Sequence, residues 1–179
     1  MIKNNSMKNK LSVVFFLFSM GLFAQVRKEV ENGIFVTFPN KPEYTTVEGY
    51  RSYISKTENV IFMVQIVDLP QRAEYMIAEQ KFSETDKKMV ADSFLNNFVK
   101  GAMASTRSKV QVQEIKKGKF YGRKMEYRAV NPATGDVSGR AKLALFIRGR
   151  VIAFECVLVN DSPRAVAEKD SFIDSVTAK

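Results

Sequence analysis

The side chains best suited to catalysis are scarce in this chain. Histidine is absent from the 179 residues, and cysteine occurs once, as Cys156. The commonest general base and the commonest zinc ligand are therefore missing. A thiol nucleophile needs a base beside it. Cys156 instead sits in the apolar run Ile152-Ala153-Phe154-Glu155-Cys156-Val157-Leu158, where it reads as a small buried hydrophobe. One cysteine also excludes an intrachain disulfide. A carboxylate pair such as Glu126 with Glu155 would serve hydrolysis only in a cleft that raised one of the two pKa values. No Gly-rich phosphate loop and no G-x-S-x-G motif occurs. The expectation is a non-catalytic protein with no cofactor and no metal.

Charge offers more than catalysis does. The chain carries a formal +9, and its first 24 residues hold Lys3, Lys8 and Lys10 with no acid, which leaves +6 for the remainder. Between Arg107 and Arg150 there are twelve basic and three acidic residues, so the rest of that remainder is net acidic at −3. Basic residues concentrated in one segment suit an anionic partner. The candidate binding residues are Lys124, Arg128, Arg140 and Lys142, read as one basic sheet face, with Arg123, Arg148 and Arg150 at its rims. Arg and Lys on a rigid sheet can hold a phosphate, a carboxylate or an anionic headgroup. The alternative use of the same residues is a solvated face that keeps the protein soluble. A second candidate is the aromatic set Phe94, Phe98, Phe154, Tyr121 and Tyr127, as a pocket lining for an apolar ligand or as plain core.

The elements that must position these residues follow from periodicity. Tyr121 to Val130, Val137 to Ile147 and Val151 to Val159 read as three strands of a meander, joined by Asn131 to Asp136 and by Arg148-Gly149-Arg150. The last strand is apolar on both faces and is expected at the centre of the sheet, covered twice. Matching the apolar faces of the first two strands requires paired residue numbers with an even sum, which places Glu126 opposite Arg140 or Lys142.

Upstream, Gly33 to Pro39 reads as a strand after a polar lead-in, Val26 to Asn32. Tyr44 to Glu48 and Tyr50 to Lys56 flank a turn at Gly49, and Val60 to Asp68 is a strand covered on both faces. Ala73 to Glu79 fits a short helix. Ser83 and Asp86 open a longer one, whose stripe of Ala91, Phe94, Leu95, Phe98 and Ala102 should pack on the sheet. Val110 to Ile115 is a further strand before the basic turn Lys116-Lys117-Gly118-Lys119. Ser162 and Pro163 open a terminal helix with Ala165, Phe172, Ile173 and Val176 as core contacts. The fold class is α+β: a twisted, mainly antiparallel sheet of about seven or eight strands with two main helices packed on it.

At the amino terminus, three lysines precede the apolar run Leu11 to Phe23, and Ala24 offers a small residue for cleavage before Gln25. This pattern resembles export signals of Gram-negative bacteria. Thirteen apolar residues make roughly 20 Å of helix, short of a bilayer core of about 30 Å. Residues 1–24 are thus expected to be a secretory signal peptide, and residues 25–179 a single domain that does not span a membrane. The location implied is periplasmic or secreted.

The order of elements, with the opening Phe35-x-x-Phe38-Pro39-x-x-Pro42 and the closing Asp170-Ser171-Phe172-Ile173, resembles the PsbP/Mog1 fold group from Gly33 to Val176. The chain departs from that group in having no tryptophan, where the opening often carries one. The resemblance implies an accessory, binding or assembly factor without a shared catalytic site, and transfers no residue-level role. Together these readings favour an exported accessory protein that binds an envelope protein or an anionic ligand, and not nucleic acid. The alternative is a small-molecule or lipid carrier with a pocket between the long helix and the sheet, and a third is a carboxylate hydrolase.

Overall fold

The computed structural model describes residues 25–104, 106, 109–130 and 135–179. The segment 1–24 and most of the connection between Val130 and Val137 lie outside them. Seven strands form one antiparallel sheet in the order β3-β4-β5-β9-β8-β7-β6. These are β3 (Glu43–Val47), β4 (Tyr50–Lys56), β5 (Val60–Asp68), β6 (Gln111–Lys117), β7 (Phe120–Val130), β8 (Val137–Phe146) and β9 (Arg150–Leu158). A second sheet has three strands, β1 (Val26–Glu31), β2 (Ile34–Phe38) and β10 (Thr177–Ala178). The helices are α1 (Arg72–Glu79), α2 (Glu84–Ala104) and α3 (Pro163–Asp174).

The large sheet is covered on both sides, which is what makes its central strand apolar throughout. One side meets α3 and the small sheet. There Ile152, Phe154, Cys156 and Leu158 of β9 join Val60, Phe62, Val64 and Ile66 of β5, and Phe172 of α3 sits between Phe38 and Phe62 at ring distances of 5.3 and 5.0 Å. The other side meets α2, whose Ala91 and Leu95 pack on Ala144, Phe146 and Val151. Each large side chain buried this way contributes about 1.5–3 kcal/mol. Strand β9 is buried at all but one of its nine positions, as its composition predicts. Strand β5 is fully buried only at alternate positions, and Ile61 on its other face is exposed, so it is covered twice only in part.

Local chemistry sets the helix starts. The Ser83 hydroxyl accepts from the Asp86 amide at 3.2 Å while Asp86 accepts from the Ser83 amide at 3.0 Å, a reciprocal capping box. Ser162 caps α3 by accepting from Ala165 N at 3.2 Å, with Pro163 in the first turn. Two strands differ from expectation. The lead-in after Gln25 is β1, whose alternation is hidden because Val30 is its one buried residue. Strand β10 is only two residues long, too short to carry a period.

The register of the meander also differs. Glu126 pairs with Ala141 and Met125 with Lys142, an odd sum. The even-sum expectation assumed one apolar and one polar face, whereas helices cover both. Met125, Tyr127 and Ala129 go under α2, and Gly122 lies against Leu145 on the opposite side. A Cβ at Gly122 would stand 2.6 Å from Leu145 Cδ2 and 2.7 Å from the Ala144 carbonyl oxygen. That close approach needs glycine.

Candidate functional site

The odd register divides the four candidate cations between the two sides of the sheet. Lys124 and Arg128 share the α3 side with Leu143, whereas Arg140 and Lys142 share the α2 side with Tyr127. They do not make one basic face, and each has a carboxylate. Lys124 reaches Glu126 at 3.7 Å, and Arg128 reaches Asp161 at 2.9 Å. Arg140 and Lys142 converge on Glu155, at 3.5 and 2.9 Å. Glu126 therefore meets Lys169 at 3.3 Å rather than a cross-strand cation. The sheet also stands between Glu126 and Glu155, so they form no acid–base pair.

Two of the three rim arginines, Arg123 and Arg150, are structural as well. Arg123 is buried under α2, donating to Asp92 at 2.8 Å and to Asn96 at 3.2 Å. Burial alone would push the Asp92 carboxyl up, but hydrogen bonds from Lys88 and Arg123 outweigh it and hold the group below its ordinary range. Arg150 is buried between Glu31 and Asp68, and so ties the small sheet to the large one. The Cys156 thiol is buried, and burial pushes its pKa up, away from thiolate chemistry.

Cations without a carboxylate gather instead at one end of the large sheet. Two hairpin turns meet there. In the β8–β9 turn, Arg148 and Gly149 both have positive φ, 47° and 72°, the pattern of a type I′ hairpin. Arginine in that conformation is strained by about 1–2 kcal/mol relative to glycine. The turn is closed by hydrogen bonds of 2.8 and 3.1 Å between Ile147 and Arg150, and Tyr75 of α1 packs over Gly149. The β6–β7 turn carries Gly118 and Lys119, with Lys116 and Lys117 just before it.

Between these turns, α1 and the start of α2 lies an open groove of about 320 Å³. Tyr75, Tyr121 and Phe146 line it from the α2 side of the sheet, with Tyr75 edge-on to Phe146 at 5.3 Å. The Phe120 ring packs into the core on the α3 side instead; Lys119 and Arg148 both lie over it, at 5.6 and 5.8 Å, and Arg148 also donates to the Asn32 carbonyl at 3.4 Å, whereas Lys116 lies over Tyr121 at 4.8 Å. The helix wall carries Glu79 and Glu84. Glu79 accepts from the Tyr75 hydroxyl at 3.2 Å, and Glu84 pairs with Lys87 at 2.9 Å. Burial and then Glu79 push the Tyr75 hydroxyl pKa up, so the proton stays on Tyr75. Among the described residues, no carboxylate comes within ion-pairing distance of Lys116, Lys117, Lys119 or Arg148. The groove therefore has an aromatic floor with Glu79 and Glu84 on its helix wall, and the cations free of ion pairs lie on the two turns at its mouth.

The carrier reading expects a pocket between the long helix and the sheet. Along its middle that interface is filled, with Leu95 and Ala144 fully buried and Phe94 stacked on Phe146 at 5.3 Å. The open space lies at its amino-terminal end, in the groove. Of the groove, the sequence indicates the Lys116–Lys119 turn, Tyr121 and Arg148. It does not indicate Tyr75, Glu79 or Phe146, because four separate segments build the walls and no spacing joins them.

Among the described residues, no helix is long and apolar enough to cross a membrane, and no group of three or more Cys, Asp or Glu side chains is placed to hold a metal ion. No protein-family model matches the sequence, and no curated protein is similar to it. Among solved structures, the chain is similar to the solution structure of cyanobacterial PsbP (CyanoP) from Synechocystis sp. PCC 6803. The TM-score is 0.54 at 15% identity, over 90% of this chain and 96% of that one. A crystal structure of a Pseudomonas aeruginosa protein of unknown function aligns with a TM-score of 0.40 at 9% identity, over 82% of this chain and 88% of that one. The fold is PsbP-like, as the opening and closing motifs imply.

Proposed function

We propose that this chain is an exported, non-catalytic accessory protein of the bacterial cell envelope, which holds an anionic partner on the two basic turns at one end of its large sheet. One observation carries the reading: Lys119 and Arg148 flank a single buried ring with no carboxylate beside either. Fixed positive charge over an aromatic surface attracts a negative group and gives its apolar neighbour a place to rest. The meander cations are engaged in ion pairs, which leaves this end as the better binding surface. The amino-terminal pattern supports export, and the missing histidine with the buried thiol supports a non-catalytic role.

Site-specific photocross-linking in the host tests this. A photoreactive residue at Lys117, paired with Phe120 beside the basic turns, should give one discrete adduct of envelope material, while the same residue at the exposed Lys100 on α2 should give none. Equal labelling from both positions, or none from Lys117, would remove the basic turns as the contact surface.

A further inference from the structure

We infer that the free edge strand β3 pairs with β3 of a second copy of this chain, joining two seven-stranded sheets across a twofold axis at Thr45. The large sheet ends in β6 on one side and β3 on the other. An unpaired edge is a template for a further strand unless charge or proline blunts it. Strand β6 is blunted, with Glu114, Lys116 and Lys117 along it. Strand β3 carries no charge from Tyr44 to Val47, and Tyr44 is 59% exposed. The small sheet meets β4, through Lys28 over the Tyr53 ring and Glu31 with Arg51, and leaves the β3 edge open.

The β3–β4 hairpin fixes which groups are free. Val47 pairs with Tyr50 across Glu48 and Gly49, both at positive φ, so the loop is a two-residue type I′ turn closed by a hydrogen-bonded pair. Such pairs alternate along the ladder. Val47, Thr45 and Glu43 therefore bond to β4, and Tyr44 and Thr46 turn their N–H and C=O groups outward. Those two residues stand symmetrically about Thr45. A second copy, run antiparallel, sets Tyr44 against Thr46 of the other chain and Thr46 against its Tyr44, each a hydrogen-bonded pair. A twofold axis normal to the sheet keeps facing residues on the same side, as pairing requires. Thr45 then faces its own counterpart, a favourable Thr–Thr pair, and Lys41 comes alongside Glu48 of the other chain. The hydrogen bonds alone would accept any strand. The self-matching register and the Lys41–Glu48 contacts favour a second copy. An edge contact this short falls below the roughly 1,200 Å² of stable complexes, so the dimer is weak.

The test uses the mature chain, residues 25–179. Sedimentation velocity should give a monomer at about 10 μM and a rising coefficient toward about 1 mM. Thr46→Pro removes one outward N–H, which an edge strand tolerates, and should keep the chain monomeric throughout that range. Cysteines read the register. Residues opposed in a non-hydrogen-bonded pair have Cα atoms about 4.5 Å apart, within disulfide reach, so Thr45→Cys should give an interchain disulfide under mild oxidation. Glu43→Cys lies roughly 14 Å along the strand from its own counterpart and should give none, nor should wild type, whose Cys156 is buried. A monomer at every concentration would overturn the pairing, as would no cross-link from Thr45→Cys, equal cross-linking from both cysteines, or a dimer that folded Thr46→Pro leaves intact. Should Thr46→Pro unfold, the two cysteine variants decide.

Discussion

Removing Glu155 should show that Arg140 and Lys142 are structural charges rather than a binding face. Glu155 is almost wholly buried, and the two cations keep only 23% and 15% of their side chains exposed. Taking one partner from a buried ion pair leaves an uncompensated charge, at about 3–5 kcal/mol. The residual exposure of Arg140 and Lys142 lowers this, because solvent screens part of each charge. Glu155→Leu should therefore lose about 2–4 kcal/mol. With a urea m-value of about 2 kcal/mol/M, the unfolding midpoint falls by about 1–2 M. Replacing all three together, Arg140→Met, Lys142→Leu and Glu155→Leu, removes the unpaired charge with the pair and should return stability to within about 1 kcal/mol of wild type. Equilibrium urea unfolding followed by circular dichroism measures both variants. A loss below about 1 kcal/mol in the single variant would refute the reasoning, as would a triple variant no more stable than the single one.

Other outcomes follow from the same geometry. Asp92 has a lowered pKa in the folded chain, so its contribution is full above the unfolded value of about 3.9 and fades as pH falls through the lower folded value. Asp92→Asn should flatten the acid side of a stability–pH curve below about pH 4, and an unchanged acid limb would contradict the Arg123 contact. Gly122→Ala should cost about 1–3 kcal/mol by overpacking, because Leu145 and the Ala144 carbonyl occupy the space. Gly139→Ala, on the facing strand with nothing nearer than 3.4 Å, should be neutral or stabilising in the same urea titration. The Cys156 thiol should resist a maleimide in the folded protein at about pH 8 and react fully in urea. Rapid labelling of the native chain would contradict its burial.

Much of the fold is legible where one local rule decides the outcome. Ser83 with Asp86, Ser162 with Pro163, and the doubly apolar β9 each state their role in a few residues. The register of β7 on β8 is not local. It depends on Leu145 occupying the space above Gly122 and on α2 covering Met125 and Tyr127, so that both faces of the sheet are buried. Parity of one apolar face cannot anticipate that. The candidate site follows the same division. The residues Lys116 to Lys119 and Arg148 are visible as basic turns, but their meeting over Phe120, and the placing of Tyr75 across Gly149, are consequences of strand order. Arg140 and Lys142 read as free cations because Glu155 lies on another strand.

The central claim is that binding charge resides in the two basic turns and not in the meander's paired cations. The most direct measurement is retention of the mature chain on washed envelopes of its host, comparing two double reversals of equal charge. Lys119→Glu with Arg148→Glu changes the basic turns, and Lys41→Glu with Lys100→Glu changes exposed lysines elsewhere. A loss of about tenfold or more in the first, with the second close to wild type, is the predicted result. Equal losses would reduce the interaction to net charge, and retention unchanged in both would contradict the account.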